Sequence, residues 1–527
     1  MYKRRDIKQF KRLGMKPEQI DKQLDNFTCG FGFINLQQAA TVGNGIARVT
    51  EAEENFFISL FEKKKKSLSM VKMVPASGSA TRMFRVLNTF MSTYTGSDEE
   101  YLKLRQDKEP GTIYSFFEKI KEYPFYAHLR EVLYRDYLDI DKLLRKNQFL
   151  EILNYLLTDK GLNYNLTPKG LIDFHLYQDH TRTAFEEHLV EGALYCSNGK
   201  TANLHFTVPE ECMENFNTLL QKVIKNYEKT LKIKFKVSFS IQKHSTDVVC
   251  LDMRGNLLRD KEENIVFRPG GHGALIHNLN DLKEEIIFIK NIDNVAPDRY
   301  KAETVKYKQI LGGILLDTKE KIFSYLHLLD KRGVTNEQLN EIEEFIYQKL
   351  GYKPQEGLTH QNLKERVSYL KNLLNRPLRV CGMVKNEGEP GGGPFWVGSP
   401  ETGSRLMIIE GDQVNPTDKE QRKRFSQSLH FNPVDIVCSV YNYKGKKFNL
   451  EEYVNDSQGF ITTKSYFGQD ARVQELPGLW NGAMANWNTL FVEVPLSTFT
   501  PVKTVFDLLR FEHRNVFSMS SLSNTPS

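Results

Sequence analysis

Apolar residues along the chain alternate between short continuous runs and helical spacings. The short runs favour β-strands at residues 71–74, 204–208, 235–241 and 285–290. Between them, residues 183–195 and 213–230 place apolar side chains three and four positions apart, which predicts amphipathic helices. Further strands are predicted at residues 264–267, 379–384, 406–410, 435–440 and 490–494. Strands that alternate with helices predict an α/β fold with a largely parallel, doubly wound sheet.

Two long stretches with a purely helical pattern interrupt this alternation. The first, about residues 88–165, has bulky residues at helical spacing that are expected to form a core, namely Phe116, Phe117, Ile120, Tyr123, Leu133, Tyr134, Tyr137, Leu143, Leu144, Ile152 and Leu156. The second covers about residues 300–375. We interpret both as insertions in one domain of residues 71–517, whose C-terminal part begins at about residue 376. Residues 1–70 are expected to form an N-terminal helical cover, and residues 518–527 a flexible tail.

Composition is typical of a soluble globular protein. The 527 residues include 40% hydrophobic and 26% charged residues, with a formal net charge of +6. This mild charge suits a protein that handles phosphate anions as well as one with no charged partner. The only dense basic run, residues 63–66, is expected to be a solvated helix end and not a nucleic-acid site. No apolar run approaches the ~20 residues of a membrane span. The six cysteines form neither a C-x-x-C pair nor a zinc-type cluster. Reduced thiols and a cytoplasmic location are therefore expected.

One stretch, residues 71–83, combines a strand, a small-residue loop and the start of a helix in the order V-K-M-V-P-A-S-G-S-A-T-R-M. Such a loop leaves backbone N–H groups open to an anion, the helix start near Arg82 adds positive potential, and the arginine adds a fork of donors. The predicted phosphate-binding loop consists of Ala76, Ser77, Gly78, Ser79, Ala80 and Thr81. The spacing matches neither the P-loop nor G-x-G-x-x-G, so an ordinary strand-to-helix turn is the alternative.

Four further motifs follow this loop along the chain. They are Pro168-Lys169, R-P-G-G-H-G-A at 268–274, N-I-D-N at 291–294, and E-V-P-L-S-T-F-T-P-V-K-T-V-F-D-L at 493–508. Together with the loop, and in this order, they resemble the motifs of the UDP-glucose and UDP-N-acetylhexosamine pyrophosphorylases. Two positions depart from that pattern, because the loop has a single glycine and Ala274 stands where an acidic residue is usual. Overall the chain is similar to an uncharacterised bacterial family, a domain of unknown function, related to these enzymes.

The resemblance implies a three-layer α/β/α core of the GT-A-like, Rossmann-like nucleotidyltransferase type. It also implies an enzyme that transfers a nucleotidyl group from a nucleoside triphosphate, UTP in the relatives, to a sugar 1-phosphate. Pyrophosphate would leave, and Mg²⁺ would be the cofactor. Such a transfer requires positioning and charge neutralisation more than covalent chemistry by the protein.

Site roles follow from the same resemblance, position by position. The loop and Arg82 would bind the triphosphate, Lys169 would balance charge on the α-phosphate, and Lys503 would bind the sugar phosphate. Asp293 would hold Mg²⁺. The predicted nucleotide contacts beyond the loop are Gln242, Gly271, His272 and Gly273. The predicted substrate contacts are Asn291, Gly392, Glu410 and Asn432.

Each of these residues also has a purely structural interpretation. Lys169 could be a surface lysine beside a turn, Asp293 an Asx turn that closes its strand, and Gln242 the end of a strand with no base nearby. His272 could be a satisfied loop histidine, Asn432 a turn residue, and the glycines at 391–393 a plain connector. Two alternative functions are a glycosyltransferase on the same fold, which would normally carry a D-x-D motif, and a non-catalytic nucleotide-sugar binding protein.

Overall fold

The structure is a computed structural model, and it describes residues 2–78, 80–356, 362–466 and 469–514. The predicted loop residue Ser79 and the predicted tail 518–527 lie outside the described residues. The helices are α1 (Arg4–Leu13), α2 (Pro17–Cys29), α3 (Glu51–Lys64), α4 (Arg85–Thr93), α5 (Asp98–Gln106), α6 (Ile113–Glu118), α7 (Tyr126–Arg135), α8 (Ile140–Arg145), α9 (Phe149–Leu157), α10 (Ala184–Tyr195), α11 (Met213–Leu231), α12 (Leu275–Asp281), α13 (Lys301–Leu329), α14 (Asn336–Lys349), α15 (Leu363–Leu374) and α16 (Lys419–Ser426).

The strands are short, and many end at a polar loop. They are β1 (Leu36–Ala39), β2 (Thr41–Val42), β3 (Gly45–Ala47), β4 (Met70–Pro75), β5 (Asp173–Leu176), β6 (Thr181–Thr183), β7 (Thr201–Thr207), β8 (Lys234–Ser240), β9 (Val248–Leu251), β10 (Phe267–Arg268), β11 (Ile286–Ile289), β12 (Tyr352–Lys353), β13 (Leu378–Met383), β14 (Gly393–Ser399), β15 (Gly403–Ile409), β16 (Asp435–Ser439), β17 (Phe460–Tyr466), β18 (Gln469–Glu475) and β19 (Asn488–Glu493).

The chain divides into two compact units that alternate along the sequence. Unit 1 consists of Met1–Met73, Ser240–Ile289 and Tyr307–Leu496. Unit 2 consists of Val74–Phe239, Lys290–Lys306 and Ser497–Ser527. Each unit is therefore assembled from segments that are distant in sequence. The expectation that residues 1–70 form a cover over a single domain stays a prediction.

The main sheet of unit 1 has the strand order β2-β3-β19-β13-β16-β11-β4. β4 pairs in parallel with β11, β13 pairs in parallel with β19, and β3 pairs in parallel with both β19 and β2. β16 alone runs antiparallel to its neighbours β11 and β13 among these described pairings. Every residue of β11 and β13 is buried, as expected for strands covered on both faces. The predicted α/β class with a largely parallel sheet is confirmed.

Unit 1 also contains two smaller sheets that the sequence pattern does not predict in full. Their strand orders are β1-β14-β15-β12 and β10-β9-β18-β17. β17 and β18 are rich in polar and charged residues, F-I-T-T-K-S-Y and Q-D-A-R-V-Q-E. Because only part of each strand faces a core, the apolar alternation that predicts a strand is weak there.

Unit 2 has its own hydrophobic core, and about half of the buried side chains in it come from α4 and from the helices α6 to α11. Much of the predicted aromatic stripe is buried in it, including Phe116, Tyr123 and Leu133. Tyr134 and Tyr137 contradict the prediction, because they are 77% and 96% exposed. Tyr134 lies on the outer face of α7. Tyr137 lies two residues beyond the end of that helix and has a φ of 60°. Helical spacing therefore no longer determines where its side chain points.

Candidate functional site

The loop after β4 lies beside β7 within unit 2. The Ala76 N–H donates to the Thr207 carbonyl at 2.8 Å, so this N–H is already used by the fold. Ala76 and Ala80 are fully buried, whereas Ser77 and Gly78 are exposed. A Cβ added at Gly78 would meet no atom within 4 Å. Within the predicted loop, residues 77–78 are therefore accessible to an anion, whereas Ala76 and Ala80 are not.

The helix after the loop begins later than the sequence predicts. The Ala80 carbonyl accepts the N–H groups of Met83 and Phe84 at 2.8 and 3.3 Å, which forms a turn, and α4 begins only at Arg85. The expected helix start at Arg82 is therefore wrong, because Ala80 and its turn delay the helix. Arg82 itself is exposed, and Thr81 donates its hydroxyl to the Asn165 carbonyl at 3.1 Å.

Lys169 is fixed by hydrogen bonds from both its backbone and its side chain. Its backbone N–H donates to the Gly78 carbonyl at 3.4 Å, which connects it to the loop. Its Nζ donates to Asp293 Oδ2 at 2.8 Å and to the Val502 carbonyl at 2.7 Å. The side chain is only 12% exposed, unlike an ordinary surface lysine. Since an ammonium group has three donors, one N–H remains beyond these two bonds.

Lys503 binds the same carboxylate, that of Asp293, from a different segment of the chain. Its Nζ donates to Asp293 Oδ2 at 3.1 Å, and its side chain is 58% exposed. Its backbone N–H donates to Asp507 Oδ2 at 2.8 Å, and the Thr504 N–H donates to the same oxygen at 2.6 Å. The K-x-x-x-D spacing thus has a physical cause, because Asp507 fixes the backbone from which Lys503 projects.

Asp293 is positioned by direct pairing between two of the motifs. The Val502 N–H donates to the Asp293 carbonyl at 3.0 Å, and the Thr500 N–H donates to Asn294 Oδ1, also at 3.0 Å. The turn at 291–294 is closed by its backbone, since the Asn294 N–H donates to the Asn291 carbonyl at 3.1 Å. The Asp293 carboxylate is therefore left to the two lysines.

The charge of Asp293 follows from these neighbours. Burial by itself would raise the pKa of this carboxyl, but the ammonium groups of Lys169 and Lys503 outweigh it and hold the pKa below its usual range. The group is an anion at neutral pH. Both described bonds of its side chain go to Oδ2.

The side-chain amide of Gln242 supports the backbone of a glycine-rich loop in unit 1. Its amide is oriented so that Oε1 accepts from the Gly270 N–H at 2.7 Å and Nε2 donates to the Gly271 carbonyl at 3.2 Å. Both functions with which Gln242 could read a base are therefore used to hold the glycine loop. Gly271 adopts a φ of 70° and a Cβ on Gly273 would lie 2.3 Å from the Pro477 carbonyl, so both positions favour glycine. Base reading by Gln242 and Gly271 stays a prediction.

A cavity of about 180 Å³ in unit 1 brings other predicted residues together. It is lined by His272, Gly273 and Glu410. The His272 ring meets the Trp480 ring edge-on at 3.8 Å between centroids. Burial lowers the pKa of His272 to about 4, so the ring is neutral at pH 7.

Glu410 is held at this cavity by an amide. Asn432 Nδ2 donates to Glu410 Oε1 at 2.8 Å, and burial raises the pKa of Glu410. Gly392 adjoins the same amide, because a Cβ there would lie 2.9 Å from Asn432 Oδ1 and 2.2 Å from the Ile409 carbonyl. The structure thus brings together three of the four predicted substrate contacts, while Asn291 belongs to unit 2.

The sequence reasoning missed most of the polar lining of this cavity. The additional polar residues are Asp412, Gln413, Gln458, Glu475 and Asn481. The side-chain oxygens of Gln458 and Asn481 are buried without a hydrogen-bond partner in the described part of the chain. None of these residues belongs to a recognised sequence motif. The only local pattern in the sequence that could have indicated the cavity is the polar cluster E-G-D-Q at 410–413. The cavity presents mainly hydrogen-bond acceptors.

Fold and site together define an α/β protein in which two lysines and an aspartate meet beside a small-residue loop, an arrangement suited to binding anions. The chain belongs to the family described as Domain of unknown function (DUF4301), whose family model matches residues 3–514. The expected membership in a family of that kind is confirmed. A search of curated protein sequences finds no match.

Solved structures with detectable similarity include UDP-sugar pyrophosphorylases. Uridine diphosphate N-acetylglucosamine pyrophosphorylase from Trypanosoma brucei aligns with 11% identity and a TM-score of 0.44, over 90% of this chain and 72% of the other. Two variants of UDP-glucose pyrophosphorylase from Leishmania major, both in complex with UDP-glucose, align with 12% identity and a TM-score of 0.42, over 96% of this chain and 77% of theirs.

None of the described helices is both long enough and apolar enough to cross a membrane. Among the described residues, no group of three or more His, Cys, Asp or Glu side chains is arranged to hold a metal ion. Cys250, Cys381 and Cys438 are buried in apolar strands.

Proposed function

We propose that unit 2 carries the phosphate-transfer site of a sugar-phosphate nucleotidyltransferase. The enzyme would transfer a nucleotidyl group from a nucleoside triphosphate, UTP by resemblance, to a sugar 1-phosphate. The observation that supports this most is the convergence of Lys169 and Lys503 on Asp293, beside the accessible loop at residues 77–78. Two cations from distant segments, pre-positioned by one carboxylate, suit a polyphosphate better than a neutral ligand.

In the proposed reaction, a phosphate oxygen of the sugar 1-phosphate attacks the α-phosphorus of the triphosphate. The bond between the α-phosphorus and the oxygen that bridges to the β-phosphorus breaks, and its electron pair leaves with pyrophosphate. Lys169 would direct its remaining N–H to the α-phosphate, where negative charge gathers in the transition state. Lys503, which is more exposed, would bind the incoming phosphate.

The residues at this site are compatible with a magnesium ion. Asp293 is a hard anionic oxygen ligand, and its Oδ1 has no hydrogen bond among the described contacts. Mg²⁺ in such enzymes is commonly held by one or two carboxylates together with substrate phosphates. When bound by Asp293 and the phosphates, magnesium would supply further neutralisation of the leaving pyrophosphate.

For the unit 1 cavity, we propose recognition of sugar hydroxyl groups. Glu410, the side-chain oxygens of Gln458 and Asn481, and the nearby Asp412 and Glu475 are acceptors. Hydroxyl groups are donors as well as acceptors and could satisfy the two buried amide oxygens that have no described partner. An anion would find no complementary charge there.

The direct test is pyrophosphate release with Mg²⁺, for four nucleoside triphosphates against several sugar 1-phosphates. We expect one pair to give turnover, and we expect Lys169→Ala to lower kcat by about 10²–10³-fold, the cost of removing one transition-state donor. Nucleotide affinity should change much less than kcat, because the lysine acts on charge that develops during the reaction.

Lys200→Ala is a matched control, since Lys200 is an exposed lysine of the same unit between α10 and β7. Its kcat should stay within about twofold of the unsubstituted enzyme, as for a surface change. Equal turnover in Lys169→Ala and the unsubstituted protein would refute the proposed role of Lys169. Tight nucleotide binding without turnover across the whole grid would instead favour the non-catalytic nucleotide-sugar binding protein.

A further inference from the structure

Unit 2 contains a second and larger cavity, which the proposed transfer reaction does not use. Its volume is about 930 Å³, within the ~300–1,000 Å³ range of small-molecule sites. Neither Lys169, Asp293 nor Lys503 lines it. Its walls come from the β5–β6 hairpin, from α10 and α11, and from the segment that carries Asp298 and Lys301.

One wall of this cavity is apolar. The side chains that form it are Val190, Leu194, Leu219, Val223 and Leu231, all on the two facing helices α10 and α11. Leu194 is 41% exposed although it is a large apolar residue. Such a surface can accept the apolar body of a ligand.

Arg182 is the main polar group of the cavity, and its position is fixed by its neighbours. Its guanidinium carbon lies 4.2 Å from the centre of the Tyr177 ring and 5.8 Å from that of Tyr227. Nη1 donates to Asp298 Oδ1 at 2.7 Å, to the Tyr177 hydroxyl at 3.1 Å and, at 3.5 Å, to Glu187 Oε2. Among the described residues, none accepts a hydrogen bond from Nη2. The guanidinium plane is therefore fixed through Nη1, while Nη2 can still donate a hydrogen bond to an anionic ligand.

Most carboxylates around the cavity are already paired within the fold. Asp173 accepts from His128 at 2.6 Å and from Thr181 at 3.0 Å, so both of its oxygens are occupied. Asp179 accepts from the neighbouring His180 at 2.6 Å through Oδ1, and its side chain is 86% exposed to solvent.

The other two carboxylates are satisfied as well. Glu186 accepts from both the N–H and the hydroxyl of Thr183, at 2.9 and 3.0 Å, and from Tyr227 at 3.1 Å. Asp298 is shared by Arg182 and Lys301. Lys301 is itself occupied by the buried Glu187 and the Ala296 carbonyl.

Two donors of the cavity have no acceptor among the described residues. One is Nη2 of Arg182, and the other is the ammonium group of Lys222, which is exposed and has no described hydrogen-bond or ion-pair partner. The hydrogen bond to Asp173 raises the pKa of His128, which favours its charged form, so this ring offsets the charge of Asp173. The polar side of the cavity therefore offers an anion two open donors, one at Arg182 and one at Lys222.

We propose that this cavity is a second binding site of the protein, for a small organic anion with an apolar body. The anionic head, a carboxylate or a phosphate monoester, would bind Arg182 and Lys222, and the body would pack on α10 and α11. The proposal does not depend on the transfer reaction, because the two sites share none of these residues.

Isothermal titration of the full chain tests the site with phenyl phosphate, phenylacetate and the neutral benzyl alcohol. At least one of the two anions should bind with millimolar or better affinity, and benzyl alcohol should not. The tighter anion identifies the head group. Lys222→Glu and Leu194→Glu should each weaken binding at least tenfold, and Arg182→Lys should do the same if it folds.

Two controls separate this site from other places that could bind an anion. Lys225→Glu changes an exposed lysine on the same helix that does not line the cavity, and Lys169→Ala disables the proposed transfer site. Both should leave the Lys222-dependent binding within twofold. The proposal is overturned if neither anion binds, if benzyl alcohol binds equally well, or if Lys225→Glu or Lys169→Ala weakens binding as much as Lys222→Glu.

Discussion

Polar side chains of this protein differ in how many of their hydrogen-bonding groups are already bonded within the fold. Lys169 keeps one donor after bonding Asp293 and Val502, whereas the Gln242 amide uses both of its functions on a glycine loop. A polar residue of a sequence motif can therefore keep a hydrogen-bonding group for a ligand, as Lys169 does, or use all of its groups to support the fold, as Gln242 does. The difference matters for chemistry, because a ligand must replace whatever bond a side chain already makes.

His272 makes the stability of the protein depend on pH in a defined direction. Its folded-state pKa of about 4 is below the ordinary value of about 6.5, so between these values the unfolded state binds more protons and stability falls as pH falls. Each pH unit below 6.5 costs at most about 1.4 kcal/mol. Between pH 7 and pH 5 we expect His272 to account for a loss of up to about 2 kcal/mol.

Urea unfolding at pH 7 and pH 5 measures this effect when the protein is compared with His272→Asn, which cannot titrate. Other groups titrate in both proteins and cancel in the difference. The loss between the two pH values should be smaller in the variant. An identical loss in both proteins would contradict the lowered pKa of His272.

At the scale of elements, glycines of two loops serve different purposes. Gly392 packs against β15 so closely that a Cβ would lie 2.2 Å from the Ile409 carbonyl. Gly78, in the loop after β4, has open space where a Cβ would lie. Glycine is thus required by packing at Gly392, while at Gly78 the fold alone does not require it.

Alanine at these two positions should separate stability from ligand binding. We expect Gly392→Ala to lower the free energy of unfolding by about 1–3 kcal/mol, because the loop must move away from β15. Gly78→Ala should stay within about 0.5 kcal/mol of the unsubstituted protein. Its nucleotide affinity should nevertheless fall, if phosphate approaches the loop backbone at this residue.

Chemical denaturation and nucleotide titration of both variants provide the measurement. Strong destabilisation by Gly78→Ala would contradict the open space found around Gly78. Unchanged nucleotide affinity in a stable Gly78→Ala protein would argue against phosphate contact at residue 78.

At the scale of the whole molecule, each unit encloses charge as well as apolar side chains. In unit 2, Lys290 and Glu191 form an ion pair at 3.1 Å with both side chains 1% exposed. In unit 1, Lys308 pairs with Asp435, and these side chains are equally inaccessible. Buried pairs contribute little net stability, but removing one partner leaves a charge in a medium that solvates it poorly.

Lys290→Met should therefore lower the stability of unit 2 by about 3–5 kcal/mol. The exposed pair Lys121–Asp141 of the same unit, with side chains 57% and 46% exposed, provides the control. Lys121→Met should change the stability of unit 2 far less than Lys290→Met does, because solvent screens an exposed pair. Hydrogen exchange of the β7 amides reports the effect, and equal protection in the two variants would show that burial of the Lys290–Glu191 pair is unimportant.

Sequence alone determined the α/β class, the approximate positions of β4, β7, β8, β11, β13, β15, β16 and β19, and the motif residues Lys169, Asp293 and Lys503. These features are local, because apolar periodicity and motif spacing depend on residues close together in the chain. The delayed start of α4 and the exposure of Tyr137 were missed, because a turn bond from Ala80 and the end of α7 override the local pattern.

Only the tertiary structure decided which side chains meet. The bond between Asp293 and Lys503 joins residues 210 positions apart, and Asn432 and Glu410 lie 22 positions apart on separate segments. Such pairs leave no periodic signal, since each segment alone can be satisfied by water. The acceptor-rich lining of the unit 1 cavity and the unpaired edge of Arg182 likewise follow from which hydrogen bonds the folded chain completes, and this is settled only when distant segments pack together.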